Sequence, residues 1–102
     1  MNKDIFIILP FKESLNPNLA GAVSLYVKDT SKYSKFKKRI QIISSDDLKG
    51  RSKIFRNKNY IANFCNKYSN HNIKIIEIHN RPEYLNYIKN FFPNAKINII
   101  FH

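Results

Sequence analysis

The sequence predicts an α/β fold built on an open parallel sheet, with strands and helices alternating in the order βαβαβαβ. Two observations lead to this prediction. Four short runs are nearly continuous in Ile, Leu and Phe, as is typical of strands covered on both faces, and three segments of helical period separate them. Such alternation predicts right-handed crossovers with helices on both faces, a half-Rossmann arrangement.

The four predicted strands span residues 5–9, 39–44, 73–79 and 96–101. Two of these runs lead into a histidine, His79 and His102. Ligands of open α/β sheets bind outside the carboxyl ends of the strands, because helix amino termini and short loops converge there. We therefore expect both histidines at the ligand-binding edge of the sheet.

The first predicted helix begins near Asn16 or Asn18, either of which can cap free backbone N–H groups. One face carries Lys28, Lys32 and Lys35 and is expected to be solvated. The opposite face is a stripe that is expected to pack on the sheet. Its residues are Leu19, Ala22, Val23, Tyr26, Thr30 and Tyr33.

The second and third predicted helices carry most of the aromatic core. The second spans residues 57–68, with its buried positions one, three and four residues apart. The third opens at Pro82 and ends before Pro93. The buried residues are expected to be Tyr60, Ile61, Phe64, Cys65 and Tyr68, then Tyr84, Leu85, Ile88, Phe91 and Phe92. Cys65 is thus a small buried hydrophobe rather than a reactive thiol.

Length and composition allow one domain with one core. The chain has 102 residues, and its 43% apolar and 14% aromatic content argues against wholesale disorder. A parallel sheet of this kind normally continues into another helix, whereas this sequence ends on its fourth strand. We expect residues 1–102 to form a single, incomplete Rossmann-like domain of a longer protein.

The cysteine count and the first apolar run indicate the cellular compartment in which the protein is expected. Cys65 is the only cysteine, which excludes an internal disulfide and fits a reducing compartment. The run at residues 5–9 is interrupted by Pro10, so it is too short for a membrane span or a signal peptide. We expect a cytoplasmic protein. A basic stretch could bring it to the inner face of an anionic membrane, or could be a solvated loop; its residues are Lys49, Arg51, Lys53, Arg56 and Lys58.

The formal charge of +11 leaves two interpretations open. Clustered Lys and Arg attract polyanions such as nucleic acid, and they also occur on solvated faces without a dedicated partner.

The loop after the first strand leads to Gly21, one of only two glycines. A glycine within a helix costs about 1 kcal/mol relative to alanine, so its position needs a reason. A missing side chain lets a ligand approach the backbone, and a helix amino terminus favours phosphate. Tight packing of the helix on a strand is the alternative.

The segment His79-Asn80-Arg81-Pro82 follows the third strand and joins three polar side chains to a turn constrained by proline. Histidine exchanges protons near neutral pH, and arginine binds anionic or hydroxyl-rich ligands. A lone histidine is usually structural, but a strand's carboxyl end is a common place for function.

Several other classes of site lack their signatures. There is no Gly-x-Gly-x-x-Gly after the first strand and no Gly-Lys-Ser/Thr loop, which argues against dinucleotide dehydrogenases and P-loop NTPases. A flavodoxin-like carrier would need a hydroxyl- and glycine-rich phosphate loop. Asp46 and Asp47 are adjacent carboxylates that diverge in a loop, so we expect turn and helix-capping roles and no metal site.

Four segments together resemble the amino-terminal domain of glycosyltransferase family 4, a group with the GT-B fold. They are Ile5-Phe6-Ile7-Ile8-Leu9-Pro10, Ala20-Gly21-Ala22, Glu77-Ile78-His79-Asn80-Arg81-Pro82 and Ile99-Ile100-Phe101-His102. The resemblance implies a retaining transfer of a sugar from a nucleotide-sugar donor to a glycan or lipid-linked acceptor, without a further cofactor or a metal.

The resemblance also assigns roles to residues. Ala20, Gly21 and Ala22 would bind the donor diphosphate, and His102 would line the donor sugar as the catalytic residue. His79, Asn80 and Arg81 would line the acceptor side of the cleft. A carboxyl-terminal domain with the nucleotide pocket would be required, so residues 1–102 alone are expected to be inactive. No nucleic-acid partner is expected under this hypothesis.

A different class of function remains open, a basic α/β module that binds RNA or an acidic partner. It would use the basic residues between Lys28 and Lys38 and between Lys49 and Lys58. Exposed aromatic side chains between basic residues would favour it, because single-stranded bases stack on aromatic faces. In this sequence the aromatic residues are predicted to be buried.

Overall fold

The computed structural model, which describes residues 3–14, 21–49 and 55–102, confirms the α/β fold. The strands are β1 (Ile5–Ile8), β2 (Ile40–Ile43), β3 (Ile75–His79) and β4 (Lys96–Ile100). The helices are α1 (Ala22–Lys32), α2 (Ser45–Leu48), α3 (Asn57–Tyr68) and α4 (Tyr84–Phe91). All four strands pair in parallel in one open, Rossmann-like sheet of order β2-β1-β3-β4.

The strand order creates a topological switch point between β1 and β3. The chain leaves β1 towards β2 on one side and later returns to place β3 on the other side of β1. In register, Ile8 lies opposite Ile43 of β2 and Ile78 of β3, so the carboxyl ends of these strands are level. A crevice at such a point is where open α/β sheets bind ligands.

The two faces of the sheet bury cores of unequal size. Phe6 and Ile8 of β1 face the larger core, which includes Phe64 of α3 and Ile88 of α4. Ile7 and Leu9 point the other way and form a smaller core with Val27 of α1. α1 therefore lies on one face, and α3 and α4 lie on the other.

Val23 of the predicted α1 stripe packs on the smaller core, as expected, but the other described residues of the stripe are displaced from the buried face by about one residue of helix rotation. The helix buries Ser24, Val27 and Ser31, whereas Tyr26 and Tyr33 are 52% and 81% exposed. Small buried side chains allow a close approach to the sheet, and tyrosine keeps its hydroxyl in water at the surface. Thr30 is also exposed, and Leu19 and the expected helix start at Asn16 or Asn18 lie outside the described residues.

The predictions for α3 and α4 are largely confirmed. α3 spans the predicted residues and buries Tyr60, Ile61, Phe64 and Cys65, with Tyr68 packed on the same core. α4 buries Tyr84 and Ile88, and Phe92 follows in the core. Two residues differ from the prediction: Leu85 is only half-buried, and Phe91 is 40% exposed and stacks on Tyr87 at the surface.

Cys65 is fully buried, as predicted. Burial raises the pKa of its thiol to about 12, because the thiolate would lose its hydration in the core. The sulfur therefore stays a protonated, unreactive thiol at neutral pH.

Two short elements were not predicted, a single 3-10 turn at Lys37–Arg39 and α2. The Ser44 backbone N–H donates to the Asp47 carboxylate at 3.0 Å, which caps the start of α2. This contact confirms a capping role for Asp47.

Within the described residues, no helix has the length and apolar character needed to cross a membrane.

Candidate functional site

A pair of hydrogen-bonded histidines lies at the carboxyl edge of the sheet. His79 is the last residue of β3, and its Nδ1 is 2.7 Å from Nε2 of His102, which follows β4. The two rings are nearly parallel, with centroids 5.0 Å apart. The neighbouring parallel strands β3 and β4 bring together the two residues that the sequence singled out 23 positions apart.

Glu77 extends this pair into a chain of three side chains. Its Oε1 lies 2.6 Å from His79 Nε2. Glu77 and His79 are two positions apart in β3, so they share a sheet face, the face on which α1 lies. The His79 ring is 1% exposed and has both nitrogens engaged. Glu77 was not predicted as a site residue, although an acidic residue two positions before a histidine in an apolar strand was a readable signal.

Asn80 positions the backbone that carries His102. It has φ 59°, a left-handed conformation that asparagine tolerates better than most residues. The Asn80 backbone N–H donates to the Ile100 carbonyl at 2.9 Å, and its side-chain oxygen accepts from the His102 N–H at 2.8 Å. Asn80 therefore clamps the segment after β4 to the end of β3.

Arg81 follows in the same loop but does not join the histidine pair. Its Nε lies 3.9 Å from Glu83 and finds no hydrogen-bond partner among the described residues. The side chain is 41% exposed, so the guanidinium is accessible from the loop.

Gly21 immediately precedes α1, and its backbone N–H is already engaged. The Glu13 carboxylate accepts from this N–H at 3.0 Å, and a Cβ at position 21 would collide with that carboxylate. The glycine is thus explained by the close approach of Glu13 rather than by packing of the helix on a strand. Ala22 is exposed in the first turn, and Ala20 lies outside the described residues.

Helix α1 begins directly after Gly21 and contacts the histidine pair one turn later. The Tyr26 ring contacts the His102 ring edge-on, with centroids 5.1 Å apart. Gly21 is five residues before Tyr26, about 7–8 Å along the helix axis at 1.5 Å per residue. The start of α1, His79 and His102 therefore lie at one edge of the sheet.

The loop after β1 is tied to the start of α2 at this same edge. Lys12 has φ 77°, and its N–H donates to the Ser45 hydroxyl at 2.8 Å. The Ser14 hydroxyl hydrogen-bonds the Asp46 carboxylate. Lys12 and Asn80, the two non-glycine residues with positive φ among those described, follow the two strands that flank the switch point. Strained backbone of this kind clusters at functional sites.

In the described part of the chain, neither a metal-ligand cluster nor the cavity with the best-defined lining lies at this edge. Among the described residues, no group of three His, Cys, Asp or Glu side chains has the arrangement of a metal site. A cavity of about 640 Å³ lies elsewhere, near the amino ends of β1 and β3. It is lined by Lys3, Phe6, Gln41, Tyr68, Asn70, His71 and Asn72. The candidate site is therefore defined by converging side chains rather than by this cavity.

The fold and the site together define an α/β protein with an open parallel sheet and a cluster of polar side chains at the carboxyl edge of that sheet. A scan against protein-family models, a search of curated proteins and a search of solved structures each found no match to this chain.

Proposed function

We propose that this chain is the acceptor-side part of a retaining glycosyltransferase that moves a sugar from a nucleotide-sugar donor to a glycan or lipid-linked acceptor. The observation that carries the proposal is the convergence of the His79–His102 pair and the start of α1 at the carboxyl edge of a parallel sheet. Histidine and backbone N–H groups are suitable partners for sugar hydroxyls and phosphate.

The proposed donor side is the start of α1, with Ala20, Gly21 and Ala22 close to the diphosphate. A helix start binds anions through its free N–H groups and its dipole. The Glu13 carboxylate is the anion at the Gly21 N–H in this structure. A diphosphate oxygen would take its place, so Glu13 would swing away when the donor binds.

The proposed sugar-binding residue is His102, with His79, Asn80 and Arg81 on the acceptor side. His102 is exposed and rests on buried His79, so its ring can touch a ligand while remaining oriented. Direct contact of His79 with an acceptor stays a prediction. The exposed Lys49, Arg56 and Lys58 are suitable for peripheral contact with anionic lipid.

The test begins with the natural transcript, sequenced through codon 102. We expect an open reading frame that continues into a second α/β domain of roughly two hundred residues or more, a common domain size with linkers. The full-length product should consume one of a panel of radiolabelled nucleotide sugars. A verified full-length transcript with a stop codon directly after codon 102 would refute the proposal.

A substitution then tests the proposed role of His102. In the full-length enzyme we expect His102→Ala to lower kcat by about 100-fold with an unchanged thermal midpoint, as for the loss of a group acting on the reacting centre. His71→Ala, at the opposite end of the sheet, is the matched control and should retain activity. An equal loss of stability and activity in His102→Ala would show that His102 serves packing alone.

A second candidate function, binding of single-stranded RNA, is favoured by a specific surface. The aromatic–basic surface consists of Lys32, Tyr33, Lys35, Phe36 and Arg39. Lys32 Nζ lies 5.6 Å from the Tyr33 ring centroid, and Lys35 Nζ lies 5.1 Å from that of Phe36. Tyr33 is exposed rather than buried as predicted, so an aromatic platform among basic residues is present after all.

Filter binding of labelled single-stranded RNA across a salt series separates the two candidates. Binding through this surface should be tight and steeply salt-dependent, and Tyr33→Ser should weaken it by about 5- to 100-fold, the value of one stacked base. Tyr87→Ser, which removes another exposed tyrosine, is the control. Weak, salt-insensitive retention would exclude this candidate.

A further inference from the structure

Glu77, His79 and His102 form a chain of two hydrogen bonds, here called the relay. These hydrogen bonds determine which ring nitrogens of the two histidines carry a proton. An ionised carboxylate only accepts, so His79 must carry a proton on Nε2 to donate to Glu77 at 2.6 Å. Neutral His79 then has a lone pair on Nδ1. The 2.7 Å contact is satisfied only if His102 carries its proton on Nε2.

This arrangement leaves His102 Nδ1 without a proton and outside the relay. An extra proton on His79 Nδ1 would face the N–H of His102, so it would force that proton off or break the contact. An extra proton on His102 Nδ1 changes no hydrogen bond in the relay, and ionised Glu77 offsets its charge through His79. One atom of the relay can therefore gain and lose a proton without rearrangement.

We propose that Glu77 and His79 are positioning residues that hold His102 in one tautomer, making its Nδ1 the atom that exchanges a proton with a hydroxyl-bearing ligand. In that transfer the ligand O–H bond breaks, the electron pair stays on oxygen, and the proton binds Nδ1. The inference rests on the proposed function only in taking the hydroxyl to belong to a sugar. His79 acts through His102 and need not touch the ligand.

Among the described side chains around the relay, Glu77 supplies the negative charge, through its contact with His79. Tyr26 of α1 contacts the His102 ring, and Asn98 is the register neighbour of Glu77 on β4. Asn80 binds the His102 backbone, and Arg81 in the adjoining loop lies 3.9 Å from Glu83. Glu77 is 29% exposed and can be substituted without opening the core.

The test uses NMR of the 102-residue chain labelled with ¹⁵N and needs no ligand. At pH 8, imidazole ¹⁵N shifts should show His102 with its proton on Nε2, and a coupling should be detectable across the hydrogen bond to His79 Nδ1. Absence of that coupling, or a proton on His102 Nδ1 at pH 8, overturns the proposal. This measurement requires no variant, so it remains decisive if a substitution unfolds the chain.

Charge removal provides the second readout, which a purely structural role would not change. Glu77→Gln removes the charge and can present either an acceptor oxygen or a donor N–H to His79, so part of the population should lose the Nε2 proton of His102 and its coupling to His79 Nδ1. Glu83→Gln removes an equal charge from the same edge and is the control, and His71 is the internal reference. Equal behaviour of the two variants overturns the proposal. Neither readout involves sugar, so the relay and the sugar-transfer proposal can fail separately.

Discussion

At the scale of single residues, Glu13 and Gly21 show how an absent side chain sets the start of a helix. The backbone at Gly21 is extended, with φ −89° and ψ −178°, a conformation open to any residue. The conformation does not require a glycine, but the Glu13 carboxylate lies in the volume that a Cβ would occupy, so a larger residue would make this flexible side chain shift. A carboxylate at this position also interacts favourably with the helix dipole.

A double-mutant cycle measures this contact. Glu13→Ala should lower the free energy of unfolding by about 1 kcal/mol, the usual value of a helix cap. Gly21→Ala should cost no more than this, because the added methyl displaces only the flexible end of Glu13 from the Gly21 N–H. When Glu13 is already alanine, Gly21→Ala should have little further effect. Urea denaturation measures all four proteins, and strictly additive losses would contradict the contact.

At the scale of elements, α3 joins the sheet through a hydroxyl as well as through apolar packing. The buried Tyr60 hydroxyl lies 2.8 Å from the Leu9 carbonyl and 3.0 Å from the Ile43 carbonyl. It therefore bridges the ends of β1 and β2 next to the candidate site. Burial raises the pKa of this hydroxyl well above its usual value, so it stays protonated and donates at all ordinary pH.

Tyr60→Phe tests this bridge. The substitution keeps the ring, which packs against Phe11, Phe55 and Tyr84. It leaves the Leu9 carbonyl buried without its hydroxyl donor, so the free energy of unfolding should fall by about 1–3 kcal/mol. Tyr87→Phe at the surface should change it by less than about 0.5 kcal/mol. Equal urea midpoints for the two variants would show that the hydroxyl contributes nothing.

At the scale of the whole molecule, an ion pair at the start of the sheet makes the free energy of unfolding depend on pH. Arg39 forms two hydrogen bonds with Asp4, at 2.8 and 2.9 Å, between the segments that enter β2 and β1. The Arg39 guanidinium holds the pKa of the Asp4 carboxyl below its ordinary value of 3.8. A carboxylate favoured in the folded state stabilises that state above its unfolded pKa.

Asp4→Asn should therefore reduce stability most at neutral pH. As the pH falls through the lowered pKa, wild-type Asp4 also becomes protonated, so the difference between the proteins should shrink below about pH 4. Urea midpoints from pH 7 to pH 2.5 measure this convergence. Asp29→Asn, on the exposed face of α1, is the control for loss of one negative charge. A constant gap between wild type and Asp4→Asn would contradict the assignment.

The accuracy of the sequence predictions differs between elements for physical reasons. α3 was predicted well because its apolar residues are large and regularly spaced, so only one face can be buried. α1 was predicted poorly because it buries Ser24 and Ser31 and exposes Tyr26 and Tyr33, against their usual preferences. Which face of such a mixed helix is buried depends on the sheet that it meets.

The residues of the candidate site were also predicted only in part. The sequence indicated Gly21, His79 and His102, because each follows a predicted strand where ligands bind. It could not indicate that Glu13 occupies the Gly21 N–H. Glu77, two positions before His79, was a readable signal, but the His79–His102 contact that makes it part of a relay depends on the pairing of β3 with β4. These contacts depend on loop paths and strand register that local patterns do not specify.

The sequence by itself determined the α/β class, the four parallel strands and the helix spacing of the larger core, because apolar periodicity is a local property. Only the tertiary structure decided which side chains meet: the His79–His102 hydrogen bond, the helix face that α1 buries and the exposed aromatic–basic surface. The histidine contact depends on the order β2-β1-β3-β4, which brings together segments far apart in the chain, and the exposed side of α1 depends on the sheet face against which the helix packs.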